Sequence, residues 1–67
     1  MENSSNQFKA GDRVKNKYVG YGFNGGELGT VKSVLKSTHA DGGYFFFVRF
    51  DGNDYDNQMV RADLQKV

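Results

Sequence analysis

Hydrophobic and polar residues alternate in short bursts along this chain, and no amphipathic stretch reaches helical length. After a polar start, Gly11-Asp12 gives a turn signal. Val14 then alternates with Arg13, Lys15 and Lys17, which predicts a short strand with one basic, exposed face. Residues 28–37, LGTVKSVLKS, read as a second strand. Val31 and Val34 are three apart and would fall on opposite faces of a flat strand, so a bend or bulge near Ser33 is expected. In the third strand, YFFFVRF, Phe46, Val48 and Phe50 share one face while Phe45, Phe47 and Arg49 share the other. DGND reads as a tight hairpin turn, residues 55–60 as a fourth strand, RADL as a single 3₁₀ turn and QKV as a closing strand. The pattern predicts an all-β fold: a five-stranded small barrel over residues 8–67, with a 3₁₀ turn before the last strand and a disordered tail at 1–7.

The segment VGYGFNGGELGTV contains Gly20-x-Gly22-x-x-Gly25, the spacing with which dinucleotide-binding folds cradle a pyrophosphate. That chemistry needs a helix after the third glycine, so that free N–H groups point at phosphate. Here Gly26, Glu27, Leu28, Gly29, Thr30 and Val31 follow, a poor helical sequence that reads better as a strand. Asp41 lies near the distance expected of a ribose-binding acid, but in ADGG, a turn. The glycines therefore read as hinges of a long, mobile, aromatic-bearing loop over residues 18–27.

With 67 residues, the chain has room for one small domain, which would bury only about 60% of its unfolded surface. It has no cysteine and one histidine, His39, so neither disulfides nor a thiolate metal site can staple it. Stability falls to six Phe, four Tyr and the aliphatics. Absent cysteines and the lack of an apolar leader in MENSSNQFKAG point to a cytoplasmic protein, in which the Asn3-Ser4-Ser5 glycosylation sequon would be inert. No run approaches the roughly 20 apolar residues of a membrane helix.

Net charge is +1 but unevenly spread. Lys9, Arg13, Lys15, Lys17, Lys32 and Lys36 face only Asp12 and Glu27 in the first half, whereas Asp41, Asp51, Asp54 and Asp56 accompany Arg49 alone further on. One side is expected to be basic and another acidic, a polarity that orients encounters with charged partners. The aspartates near 51–56 lack a glutamate placed to close a calcium loop and read as a solvated acidic edge. Neither His39 nor Ser4, Ser5, Ser33 and Ser37 sits beside an evident partner that would activate it, so no catalysis and no cofactor are expected.

The succession GDRV, long loop, GTVKSV, connection, FFVRFDG and VRADLQKV resembles the SH3-like small barrels over residues 11–67. Its first half is similar to KOW-type modules, which pair a G-[DS]-x-V strand with a G-x-V strand. The loop ending in FN, then GTVKSV and VRF, also resembles photosystem I subunit IV-type barrels. The arginine-proline pair and the Asn-Asn-Phe segment of that family are missing, so only its fold is carried over. NQMVRADLQKV resembles the end of type II dihydrofolate reductases, with Gln58 at a pore glutamine, but Val60 stands where a tyrosine is expected. In such a reused scaffold, fold does not dictate function.

Two binding readings remain open. In the first, a protein partner docks on Tyr18, Tyr21, Phe23, Phe45 and Phe47, oriented by Arg49, because these residue types dominate recognition surfaces and the rings outnumber what so thin a core can house. In the second, Arg13, Lys15, Lys17, Lys32 and Lys36 contact nucleic-acid phosphates while Tyr18, Tyr21 or Phe45 stack on unpaired bases. A non-functional alternative for Phe45 and Phe47 is that the 18–27 loop folds over them, with Tyr21 or Phe23 as a lid.

Overall fold

A computed structural model describes residues 8–67; the tail expected at 1–7 lies outside the described residues. The elements are β1 (Arg13–Asn16), β2 (Val19–Gly20), β3 (Phe23–Asn24), β4 (Leu28–Lys36), β5 (Tyr44–Phe50), β6 (Asn57–Val60), a 3₁₀ turn (Arg61–Asp63) and β7 (Leu64–Lys66). Five strands form one antiparallel sheet in the order β6-β5-β4-β1-β7, and β2 and β3 form a separate two-stranded ribbon. The hydrogen-bonded order stops at β6 and β7, so the described sheet is not closed into a barrel. The fold is all-β, as the short alternating bursts predict.

The expected bulge falls at Lys32. Val31 lies opposite Val48, but the next pair is Ser33 with Phe47, so Lys32 is the extra residue. After it Val34 lies opposite Phe46, which puts both valines on the face carrying Phe46 and Val48. That face holds the core: Phe8, Val14, Val31, Phe46, Val48, Phe50, Met59 and Leu64. Phe8 meets Phe46 edge to face at 5.3 Å, so a residue five positions ahead of β1 belongs to the core.

Gly29 sets the spacing between β4 and β5. A Cβ there would lie 2.8 Å from the Arg49 carbonyl oxygen and 2.9 Å from side-chain atoms of Phe50 and Val48. Ahead of β1, the Asp12 carboxylate accepts the Lys9 backbone N–H at 3.0 Å and lies 3.4 Å from Lys66 Nζ. The Lys9 N–H, followed by the charge of Lys66, holds the Asp12 carboxyl below its ordinary value. The entry to β1 is thereby fastened to β7.

Two expectations need correction. The 18–27 segment is not a structureless loop, because β2 and β3 pair within it through Val19 with Asn24 and Gly20 with Phe23. The fourth strand starts at Asn57, later than residue 55. Asn53 N–H donates to the Phe50 carbonyl at 3.0 Å, and residues 51–56 form a longer acidic connection that leaves Tyr55 in solvent. Aspartates compete poorly for strand conformation, which explains the delay.

Candidate binding surface

The site begins with a buried polar residue. Asn16 ends β1 on the same face as Val14 and is 1% exposed. Its Nδ2 donates to the Tyr18 carbonyl (2.8 Å) and to Glu27 Oε1 (2.7 Å), and its Oδ1 accepts the Tyr18 N–H (2.9 Å). Its own N–H donates to the Glu27 carbonyl (2.7 Å), while its carbonyl accepts the Gly26 N–H (2.6 Å). Glu27 Oε2 accepts the Asn24 N–H at 2.8 Å. The two residues clamp the base of the β2–β3 ribbon. The Asn24 N–H, then the Asn16 amide, holds the Glu27 carboxyl below its ordinary value.

At the tip, Tyr21 and Gly22 connect β2 to β3 with φ of 50° and 89°. Two-residue hairpin turns that match strand twist require positive φ at both positions and favour Asn-Gly or Asp-Gly. Tyrosine is out of place in that position, since a Cβ-bearing residue in the left-handed region costs about 1–2 kcal/mol. Tyr21 is nevertheless 94% exposed. Its ring stacks on Tyr18 (centroids 6.3 Å apart, planes 6° apart), and Tyr18 meets Phe23 at 6.4 Å. Phe23 anchors the group by packing on core Phe50 at 5.4 Å. The glycine-rich fingerprint is thus a ribbon tip and its return: Gly25 and Gly26 have positive φ and lead into β4, not into a helix.

Between this ribbon and the 51–56 connection lies a groove of about 350 Å³. Tyr21, Phe23, Glu27, Asp51, Tyr55 and Asn57 contribute to its walls. Arg13 reaches Asp51 with two hydrogen bonds, at 2.9 and 2.7 Å, and also donates to Thr30 Oγ1 at 2.9 Å. The paired Arg13 guanidinium holds the Asp51 carboxyl below its ordinary value, and the Asp51 carboxylate in turn raises the Arg13 guanidinium above its own.

The structure separates the expected anchors into two groups. Tyr18, Tyr21 and Phe23 come together on the ribbon. Phe45 and Phe47 lie half-buried on the opposite face of β5 from Phe50, with Phe45 between Leu35 and Val60 and Phe47 between Ser33 and Gln58. Neither candidate lid covers them: Phe23 sits on the Phe50 side and Tyr21 points into solvent. Arg49 Nε donates to Asp56 Oδ1 at 2.8 Å, so this cation braces the 51–56 connection.

The cations of the nucleic-acid reading are also divided. Arg13 is engaged by Asp51, while Lys15, Lys17, Lys32 and Lys36 are exposed and form no ion pair among the described residues. Lys17 borders a recess with Phe8, Arg61 and Lys66, and Lys32 a different one with Thr30, Arg49 and Asp51.

Asn16, Glu27, Tyr55 and Asn57 escape a sequence reading of the site. For Asn16 a signal exists, since strand alternation puts it on the Val14 face, and a polar residue there needs internal partners. Among the described residues no helix is long and apolar enough to cross a membrane. No family model, curated protein or solved structure matches the chain.

Proposed function

We propose that this chain is a small non-catalytic binding module that recognises a protein partner through the aromatic ribbon and its groove. One observation carries the reading: Tyr21 is held in the left-handed region, at a cost, with its ring 94% exposed. The stack on Tyr18 offsets only part of that strain, and a strained backbone that presents an exposed ring is consistent with a contact surface. Of six Phe and four Tyr, only Phe8, Phe46 and Phe50 are buried, so rings remain for a partner to cover. Burying one ring contributes about 1.5–3 kcal/mol, and two or three suffice for micromolar binding after association entropy is deducted.

The strand order, with a 3₁₀ turn between β6 and β7, supports an SH3-like small barrel as the architecture behind this module. A cytoplasmic location fits the cysteine-free composition. The nucleic-acid alternative rests on exposed Lys15 and Lys17 beside Tyr18. Against it, Arg13 is neutralised by Asp51, and the groove presents the Glu27 carboxylate, which repels phosphate.

Affinity capture from host lysate, with and without nuclease, decides between the two. The protein reading expects a nuclease-resistant partner that Tyr21→Asn releases and that Lys15→Glu with Lys17→Glu retains. A complex lost to nuclease or to the lysine changes, and untouched by Tyr21→Asn, overturns it.

A further inference from the structure

We infer that the groove between the β2–β3 ribbon and the 51–56 connection seats a basic side chain, lysine or arginine, of the partner protein. The inference rests on the proposed role of this groove and adds the chemistry of what enters it. Its lining includes two carboxylates, Glu27 and Asp51, and no cation. Two other recesses among the described residues differ: one is lined by Lys17, Arg61 and Lys66 with no acid, the other by Lys32 and Arg49 with Asp51. The groove is therefore more acidic than either of these two recesses.

The two carboxylates are not equivalent. Asp51 is already paired with Arg13, whereas Glu27 is held by neutral donors: the Asn16 amide, the Asn24 N–H and the backbone N–H groups of Gly25 and Glu27. Those bonds keep Glu27 ionised without cancelling its charge. Covering the groove with an apolar side chain would strip water from that carboxylate with nothing in return, whereas a cation offsets the loss. Three aromatic residues, Tyr21, Phe23 and Tyr55, also line the groove, a residue type whose ring faces attract ammonium and guanidinium groups. Asn57 adds a second polar cue: its Oδ1 is buried without a hydrogen-bond partner among the described residues. An N–H donor entering the groove could satisfy it after a side-chain rotation. Phosphates and acidic peptides meet the opposite of what they need.

The test is amide-resolved NMR of the isotope-labelled full chain, titrated with blocked glycyl-lysyl-glycine, glycyl-arginyl-glycine and glycyl-glutamyl-glycine. Both basic tripeptides should move the amides of Gly22, Phe23, Asn53 and Tyr55, and the glutamyl peptide should leave them in place. Tyr55→Ala should weaken the basic peptides about fivefold, and Tyr55→Phe, which keeps the ring, should restore them. Tyr55 is 55% exposed, so both variants should keep the wild-type fold. Raising salt from about 20 mM to about 300 mM should also weaken binding. Equal shifts with the glutamyl peptide, or none with either basic peptide, overturn the inference. If basic peptides are silent while Tyr21→Asn still releases the captured partner, the recognition surface stands and its basic anchor falls. If Tyr21→Asn releases nothing, the recognition surface itself falls.

Discussion

Asn16 and Glu27, eleven residues apart in sequence, meet through a 2.7 Å hydrogen bond that closes the base of the aromatic ribbon. Everything the ribbon presents, Tyr21 above all, is positioned from this contact. Asn16 is spent entirely on local bonds, because its amide nitrogen also holds the Tyr18 carbonyl and its amide oxygen the Tyr18 N–H.

Removing the clamp should loosen the ribbon before the sheet. Asn16→Ala leaves the part-buried Tyr18 backbone groups and Glu27 without their amide partner, and should destabilise the chain by about 1 kcal/mol or more. Hydrogen exchange should accelerate most at Tyr18, Asn24 and Gly26, with β5 slower to respond. Uniform acceleration across all strands would show that the clamp stabilises the whole fold and not the ribbon in particular.

Acid should act in the same place. Glu27, Asp12 and Asp51 all have carboxyls lowered from their ordinary values of 4.5, 3.8 and 3.8. A lowered folded value means stability that is complete above the unfolded value and lost as pH falls through the folded one. Melting temperature should therefore stay flat from neutrality to about pH 5 and decline below about pH 4. Glu27→Gln should lower it at neutral pH, since Asn16 and Asn24 bond different carboxylate oxygens and glutamine places an NH₂ donor at one of them. It should also flatten the acid decline, since no carboxylate remains there to titrate. A Glu27→Gln chain with the wild-type pH profile would remove Glu27 from the account.

Gly29 tests the β4–β5 contact. A Cβ at this position would stand 2.8 Å from the Arg49 carbonyl oxygen, so Gly29→Ala must push the strands apart. The expected loss is about 1–3 kcal/mol in denaturant melts. An unchanged midpoint would mean that the two strands slide past each other freely.

Tyr21→Asn separates stability from recognition. Asparagine tolerates the left-handed backbone and forms the favoured Asn-Gly turn, which relieves about 1 kcal/mol of strain. Loss of the stack on Tyr18 offsets about 0.5 kcal/mol or more. Thermal stability should hold or rise slightly while partner capture is lost. A variant that is both destabilised and still binding would contradict the role given to this ring.

Phe47→Ser probes the second aromatic group. Phe47 lies outside the ribbon groove, so capture should survive this change if the groove alone carries recognition. Loss of the partner in a folded Phe47→Ser chain would move the interface to the β4–β6 face.

The alternation of YFFFVRF and the odd spacing of Val31 and Val34 determined, without any coordinates, an all-β chain with a bulge in its long strand. They could do so because a strand's two-residue period forces each side chain to a face, and only an inserted residue reconciles positions three apart. The residues after Gly25, from Gly26 to Val31, likewise read as a strand and not as the helix a phosphate site needs. Only the tertiary structure decided that Arg13 belongs to Asp51, that Phe23 turns to Phe50 and away from Phe47, and that Asn16 holds Glu27. Those contacts join residues distant in sequence through side-chain reach and loop path. Local patterning carries no term for either, so the groove's chemistry became visible only once the chain had closed upon itself.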